Sequence, residues 1–159
     1  MSRTSTDYIV VHCSATPITS DIGASEIDAM HKARGWSRIG YHSVIRLDGT
    51  VESGRDLWAQ GAHVKGYNAR SVGVCVVGGV GVDGKPECTI NPAQSDSLRA
   101  LLSRWQLEFP TAEIVGHRDL SPDLDQDGEV TINEWLKACP SFDVKHWMDT
   151  GNAVFHVER

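Results

Sequence analysis

The sequence predicts a single α/β domain over residues 1–159, with a central mixed β-sheet flanked by helices. Short β-branched apolar runs alternate with helical patterns, as in proteins whose helices cover the faces of a sheet. One antiparallel hairpin interrupts this alternation, so the sheet is expected to be mixed. A length of 159 residues suits one hydrophobic core and is short for two.

The first two elements are a strand and a helix. The β-branched apolar run Tyr8–Cys13 predicts a buried strand. Residues 24–34 predict a helix that ends at a glycine. Its core stripe is expected at Ile27, Met30 and Ala33, which leaves His31 on the solvated side.

The next elements are a hairpin and another strand. Residues 41–47 and 50–53 predict two paired strands joined by Asp48-Gly49. That dipeptide is typical of a type I′ turn, in which both central residues have positive φ. The apolar run 71–77 predicts a further buried strand that ends at two glycines.

The second half of the chain adds two helices and a strand. Asn91 and Pro92 predict the N-cap and the first residue of a long helix. Its core stripe is expected to contain Leu98, Leu101, Leu102 and Trp105. Residues 113–116 predict a short strand, and Ser141 is expected to cap a last helix that runs to about Met148.

Charge and polarity argue against several function classes. Lys and Arg number 15 and Asp and Glu number 21, for a formal charge of −6, whereas general nucleic-acid binders carry a basic face. No stretch approaches the roughly 20 apolar residues of a membrane helix. The polar start lacks the apolar core of a signal peptide. We therefore expect a chain that folds in a cytoplasm, with free thiols, no nucleic-acid partner and no stable membrane association.

Two predicted strands end in a histidine, and a cysteine follows in a polar turn. His12 lies at the end of the first strand, His117 follows residues 113–116, and Cys139 lies in Lys-Ala-Cys-Pro. Catalytic zinc takes three protein ligands and a water, and two histidines with one cysteine are an allowed set. On this pattern alone, a metal site and ordinary structural histidines remain alternatives.

A family resemblance rests on many short segments that come in a fixed order. They are Val11-His-Cys-Ser-Ala-Thr16, Gly35-Trp36, Gly40-Tyr-His-Ser-Val-Ile45, Asp48-Gly-Thr-Val-Glu52, Gly54-Arg55, Gly61-Ala-His63, Gly66-Tyr-Asn68, Ser71-Val-Gly-Val-Cys75 and Lys137-Ala-Cys-Pro-Ser-Phe-Asp143. Together they resemble the zinc-dependent N-acetylmuramoyl-L-alanine amidases, in particular the short amidase endolysins of T-odd-type podophages. The same superfamily includes the animal peptidoglycan recognition proteins. The resemblance covers nearly the whole chain.

The resemblance implies a role for each matching position. The implied zinc ligands are His12, His117 and Cys139. Tyr41 matches the family tyrosine near the metal-bound water, and Lys137 matches the catalytic lysine of the phage enzymes. His63 and Asn68 match positions that line the substrate groove. An ammonium at position 137 would stabilise a tetrahedral oxyanion, typically by about 3 kcal/mol for one donor.

An insertion separates the last two implied ligands, where the short phage relatives have only a brief loop. Its residues 122–135 fit the EF-hand calcium loop. The matching positions are Asp123, Asp125 and Asp127 as first, third and fifth, Gly128 as sixth, the Glu129 carbonyl as seventh and Glu134 as twelfth. Because Pro122 precedes the loop, no ordinary entering helix is expected. A solvated acidic turn is the alternative, and our hypothesis is that calcium orders the loop and thereby places Lys137 and Cys139.

These observations predict a phage endolysin that hydrolyses the amide between N-acetylmuramic acid and L-alanine of peptidoglycan. It would be a monomer stored in the host cytoplasm without a signal peptide, and it would reach the wall through a separate pore protein. One alternative is a non-catalytic peptidoglycan-binding protein, although such members of the superfamily lose the cysteine ligand. Another is a regulator of the phage RNA polymerase, which some close phage relatives bind. A purely structural zinc site would need a fourth protein ligand, and the sequence offers none at a suitable position.

Overall fold

A mixed sheet of five strands forms the centre of the molecule. The computed structural model describes residues 2–158, and its strands are β1 (Tyr8–Cys13), β2 (Thr16–Pro17), β3 (Ser43–Ile45), β4 (Val51–Ser53), β5 (Ser71–Val76), β6 (Gly79–Val80) and β7 (Glu113–Gly116). The central sheet has the order β4-β3-β5-β1-β7, and β2 pairs with β6 separately. The strand β1 is parallel to β5 and β7, and β3 is parallel to β5 but antiparallel to β4. The prediction of an α/β domain with a central mixed sheet is therefore confirmed.

Three α-helices cover the two faces of this sheet. They are α1 (Ala24–Ala33), α2 (Pro92–Glu108) and α3 (Val144–Thr150). One face of β1 and β5 packs on α2 and α3, through residues that include Ile9, Val72, Leu98 and Trp147. The other face packs on α1, where Ile27 meets Val44 and Cys75. Side chains alternate along a strand, so His12 points to the same face as Val10 and away from α2.

The first helix lies differently from its predicted orientation. Ile27 is buried, but Met30 is 41% exposed and His31 is only 5% exposed. The predicted solvated position of His31 is therefore wrong. The buried face of α1 is formed by Ile27 and by His31, four residues further along. The His31 Nδ1 accepts a hydrogen bond from Gly40 N at 2.9 Å. Burial lowers the pKa of His31, which keeps this acceptor nitrogen free of a proton.

The long helix begins as predicted, whereas the last helix begins later. The Asn91 side chain accepts a hydrogen bond from Gln94 N, with Pro92 in the first turn. In α3 the N-cap is Asp143, whose Oδ1 accepts from His146 N at 2.9 Å. The predicted Ser141 cap is wrong because the Ser141 hydroxyl instead donates to Gly79 O at 2.8 Å.

The hairpin is present, but its turn is not type I′. Gly49 has a φ of 88°, but Asp48 does not have a positive φ. Gly49 N donates to Arg46 O at 2.9 Å, so the turn starts two residues before Asp48. This is a type I turn followed by a glycine bulge. The Asp48 carboxylate accepts from Thr50 N at 2.9 Å and stabilises that arrangement.

Candidate metal centre

Two parallel strands bring two histidines to one edge of the sheet. The register of β1 and β7 pairs Val11 with Gly116, so the next residues, His12 near the end of β1 and His117 directly after β7, lie side by side. Their ring centroids are 4.7 Å apart. The carboxyl ends of parallel strands share an edge, where open α/β sheets commonly bind ligands. The backbone pairing alone therefore brings these two imidazoles together.

A loop brings the third candidate ligand, Cys139, to the same edge. Arg118 N donates to Cys139 O at 2.8 Å, and Cys13 N donates to Cys139 Sγ at 3.2 Å. The Sγ atom lies 3.8 Å from His12 Nδ1. One ligand atom from each of His12, His117 and Cys139 lies within 4.8 Å of the others. The three residues that the resemblance implied as ligands thus converge in space.

The electrostatics of the cluster suit a cation held by nitrogen and sulfur. Burial lowers the pKa of His12 well below its usual value, and the neighbouring His63 and His117 lower it further. Burial followed by the charge of Lys137 lowers the pKa of His117 to about 4. Both imidazoles are therefore neutral and offer lone pairs. Burial raises the pKa of the Cys139 thiol, so its thiolate form needs a cation beside it. Two imidazoles and a thiolate are a donor set that zinc accepts.

A groove opens beside these ligands. It has a volume of about 460 Å³, and its lining includes Trp36, His63, Asn68, His117, Leu136 and Lys137. His12 is only 1% exposed, so His117 is the histidine of the cluster that lines the groove. A fourth coordination position on this side would be open to a ligand in the groove.

The two residues with implied catalytic roles both lie near this cluster. The Tyr41 ring centroid is 5.0 Å from that of His12. Burial raises the pKa of Tyr41 well above its usual value, so the phenol keeps its proton at neutral pH. Lys137 is exposed on the groove, and its charge lowers the pKa of both His12 and His117. A phenol hydroxyl and an ammonium are therefore both available near the candidate metal position.

His63 and Asn68 both line the groove, and both also make contacts within the protein. The His63 Nδ1 lies 2.8 Å from His12 Nε2, and His63 is 8% exposed. The Asn68 Oδ1 accepts from His63 N at 2.8 Å and from Val64 N at 2.9 Å. Asn68 therefore shapes the loop that holds His63. Contact of either side chain with substrate stays a prediction.

Three residues at this site carried no role in the sequence analysis. Trp36 is 39% exposed on the groove, and its position in the Gly35-Trp36 segment was the one available signal. Leu136 is 75% exposed on the groove and directly follows the insertion, residues 122–135. Ser71 lies behind His63, with its Oγ 3.3 Å from His63 Nε2. Nothing in the sequence distinguishes a serine at the start of a buried strand from a packing residue.

The insertion brings part of its predicted cation ligands together. Carboxylate oxygens of Asp123, Asp125 and Glu134 lie within 4.8 Å of one another, and Asp127 is outside that group. The Asp123 Oδ2 accepts from Gly128 N at 2.8 Å, and Gly128 has a φ of 96°. Glu134 accepts from Leu124 N and from Thr131 N, each at 2.7 Å. These carboxylates hold the loop closed through backbone N–H groups.

The end of the insertion is fastened to the residue after His117. The Arg118 guanidinium lies 3.9 Å from the centroid of the Trp135 ring, and its Nη2 donates to Phe155 O at 2.6 Å. Leu136 N donates to Ser121 Oγ at 3.1 Å. Arg118 is 2% exposed, so this contact is shielded from water. Lys137 follows directly, and its position therefore depends on this packing.

Comparison with known proteins assigns the chain to a family. The family described as N-acetylmuramoyl-L-alanine amidase matches residues 2–140. The endolysin of Klebsiella phage KP32 is 47% identical over 152 residues, which cover 96% of this chain and 91% of that protein. The solved amidase LysC of Clostridium intestinale is 29% identical, with a TM-score of 0.65 over 86% of this chain and 76% of the other.

A more distant neighbour shares the architecture alone. Drosophila PGRP-LB is 23% identical, with a TM-score of 0.64 over 88% of this chain and 78% of the other. The mixed sheet and its flanking helices are thus common to this chain and to an animal protein. Together with the sequence match over most of its length, this fold establishes that the chain belongs to the N-acetylmuramoyl-L-alanine amidase family.

Proposed function

We propose that this chain is a phage endolysin that hydrolyses the amide bond between N-acetylmuramic acid and L-alanine in peptidoglycan. In this proposal His12, His117 and Cys139 hold a catalytic zinc ion. The observation that carries the zinc assignment is the convergence of these three donors within 4.8 Å beside the groove. The family membership supplies the reaction class.

The residues around the cluster have distinct chemical tasks. A zinc ion, when bound, would lower the pKa of a water towards about 7 and polarise the substrate carbonyl. Lys137 would place its ammonium where the amide oxygen gains negative charge, and loss of one such donor typically slows turnover by about 100- to 1,000-fold. Tyr41 would orient the attacking water as a hydrogen-bond donor or acceptor. Its raised pKa argues against a phenolate base at neutral pH.

The first test combines elemental analysis with hydrolysis of isolated peptidoglycan. We expect about one zinc per chain, matching the single cluster of this kind among residues 2–158. We also expect release of L-alanine amino ends that a zinc chelator stops and added zinc restores. A matched Cys88→Ser variant should behave like the parent protein, because Cys88 packs beside the core and is not part of the cluster. Protein without zinc that still hydrolyses peptidoglycan would overturn the assignment.

The alternative is a protein that binds peptidoglycan without cleaving it. The presence of a cysteine beside both histidines favours the enzyme, since a site without that ligand would bind zinc poorly. Tight zinc binding and tight binding to isolated walls, with no amide hydrolysis, would favour the binding protein instead.

We further propose that residues 122–135 bind calcium as a structural clip. The ligands would be Asp123, Asp125, Asp127, the Glu129 carbonyl and Glu134. Support comes from the three carboxylates within 4.8 Å of one another and from Asp123 Oδ1, which is buried and accepts no hydrogen bond. Glu134 would exchange its bonds to backbone N–H groups for the cation.

Calorimetric titration of the zinc-loaded protein with calcium tests this clip. We expect saturable binding that Glu134→Gln weakens strongly. Glu129→Gln is the matched control, because residue 129 would contribute its carbonyl and not its side chain. Absence of calcium binding, or equal binding by both variants, would leave the insertion as a hydrogen-bonded acidic loop.

The remaining partners and the route to the wall are also proposals. No helix in the described part of the chain is long and apolar enough to cross a membrane. We propose a monomer, tested by light scattering, that reaches the wall through a separate pore protein, tested by expression with and without such a pore. Binding to a phage RNA polymerase rests on the family resemblance alone, and co-purification with that polymerase tests it.

A further inference from the structure

A chain of buried hydrogen bonds lies behind His12, on the side away from Cys139. The His12 Nε2 lies 2.8 Å from His63 Nδ1, and the His63 Nε2 lies 3.3 Å from Ser71 Oγ. The Ser71 hydroxyl donates to Tyr67 O at 2.8 Å. His12, His63 and Ser71 are 1%, 8% and 0% exposed. Water is therefore largely excluded from these three side chains, and their polar atoms must form hydrogen bonds with one another or with the backbone.

The donor and acceptor of each hydrogen bond follow from the group at the end of the series, the Tyr67 carbonyl oxygen. A carbonyl oxygen only accepts, so the single proton of the Ser71 hydroxyl goes to Tyr67 O. The Ser71 oxygen can then only accept, and His63 Nε2 must carry the proton that faces it. A neutral imidazole carries one N–H, which makes His63 Nδ1 an acceptor.

The same logic fixes the state of His12. Because His63 Nδ1 accepts, His12 Nε2 must donate, and its Nδ1 is left with a free lone pair. That nitrogen is the one that lies 3.8 Å from Cys139 Sγ. The chain of bonds from Tyr67 thus selects the tautomer of His12 that can bind a metal ion at the cluster.

We propose that His63 is a positioning residue that, together with Ser71, holds His12 in its metal-binding tautomer and ring orientation. This inference rests on the zinc site proposed above and gives His63 a role other than contact with substrate. Histidine ligands commonly donate their second N–H to a fixed acceptor, and loss of that acceptor typically weakens metal binding by about 10- to 100-fold.

The structure holds the His63 ring in place from two sides. Gly73 on β5 leaves the space that the ring occupies, since a Cβ there would lie 2.6 Å from His63 Nδ1. Asn68 fixes the His63 backbone through the bond to His63 N at 2.8 Å. A ring fixed in this way can orient His12 without rearranging when a metal ion binds.

Three variants test the proposal through zinc affinity, measured by competition with a chromophoric chelator. His63→Leu removes the acceptor and should weaken zinc binding by about 10- to 100-fold. His63→Asn keeps an acceptor oxygen near the position of Nδ1 and should restore most of the affinity. Ser71→Ala frees the proton of His63 and should give an intermediate, few-fold loss. The thermal midpoint of each zinc-free protein separates a loss of affinity from a loss of folding.

Cobalt substitution gives a second readout. In His63→Leu we expect the visible spectrum of the bound cobalt to change, because the orientation of one imidazole changes, and in His63→Asn we expect the parent spectrum. Parent-like zinc affinity and cobalt spectra in both His63 variants, with an increase in KM for peptidoglycan, would overturn the inference and assign His63 to substrate contact. If the unaltered protein itself bound no zinc, the proposed function would fail first.

Discussion

The candidate centre is built from two halves that are held in different ways. His12 and His117 stand at the ends of two adjacent parallel strands, and their positions follow from backbone pairing in the buried sheet. Cys139 and Lys137 come from the loop after the insertion, which is held by Trp135 on Arg118 and by single hydrogen bonds. The first half is part of the core, whereas the second half depends on contacts between side chains.

This difference indicates where the site is sensitive to change. A strand end cannot move without breaking sheet hydrogen bonds, but a loop can shift when one contact is lost. The surroundings of the two halves also differ in charge. The strand half consists of two neutral histidines, whereas the insertion that precedes the loop half contains carboxylates close to one another. Changes in the loop half should therefore affect turnover before they affect folding.

Replacing Cys139, the proposed sulfur ligand, should have the largest effect on the loop half. In Cys139→Ser a hydroxyl stands where zinc needs a soft thiolate, so we expect hydrolysis of peptidoglycan to fall below detection and zinc to be lost on dialysis. Release of L-alanine amino ends and zinc content per chain are the measurements. A Cys139→Ser protein that keeps both zinc and turnover would show that Cys139 is not a ligand.

Lys137→Ala should leave zinc in place and reduce turnover. The expected loss in kcat is about 100- to 1,000-fold, because one donor to the developing oxyanion is removed. Steady-state hydrolysis and zinc analysis are measured together. Lys145→Ala is a suitable control, since Lys145 is exposed and contacts Asp149 at 3.4 Å on α3. Equal effects of the two substitutions would argue against a specific role for Lys137.

Histidines with lowered pKa values should make the stability of the zinc-free protein depend on pH. Burial lowers the pKa of His42 to about 4. Burial, followed by the charge of Lys137, lowers the pKa of His117 to about 4 as well. In the unfolded chain both pKa values are about 6.5. The unfolded chain therefore binds more protons in that window, and stability should fall as the pH drops from about 6.5 to about 4. Each group contributes roughly 2–3 kcal/mol.

Urea unfolding of the zinc-free protein across that window measures the effect. His42→Asn should give a shallower pH dependence, because one shifted histidine is gone, whatever its effect on overall stability. The His42 Nδ1 accepts from Gly73 N at 3.0 Å, so the variant also loses this hydrogen bond. A midpoint that does not change between about pH 6.5 and about pH 4 would contradict the burial argument.

The smallest expected effect is that of the contact that fastens the insertion. Trp135→Ala removes the ring on Arg118, a contact worth about 0.5–2 kcal/mol, and should lower kcat a few-fold with little change in zinc affinity. Trp135→Phe should restore part of the loss. Trp58→Ala is the control, because Trp58 is 51% exposed and packs on Phe109 instead. A larger loss of zinc than of turnover would mean that Trp135 positions Cys139 more than Lys137.

Local patterns were sufficient for much of the fold. Apolar runs and the Asn91-Pro92 pair located the strands β1 and β5 and the start of α2 to within a residue or two, whereas the short pair of β2 and β6 was not predicted. Errors arose where a tertiary contact overruled a local preference. The helical pattern predicts His31 in solvent, but its ring accepts a hydrogen bond from Gly40 N. The sequence predicts Ser141 as a helix cap, but its hydroxyl donates to Gly79 O. The first contact joins residues 9 positions apart across the end of α1, and the second joins residues 62 positions apart, so neither follows from the periodicity of a single element.

The sequence by itself determined the order of strands and helices, the family resemblance and the identity of the three candidate ligands. Only the tertiary structure decided how His12 is held. The bond to His63 spans 51 positions along the chain, and its partner Ser71 begins a different strand. Hydrogen-bond direction depends on what each atom faces, which is a property of packing and not of residue order. For the same reason, the sequence does not show that Trp135, two residues before Lys137, packs on Arg118. That contact is a property of the tertiary structure.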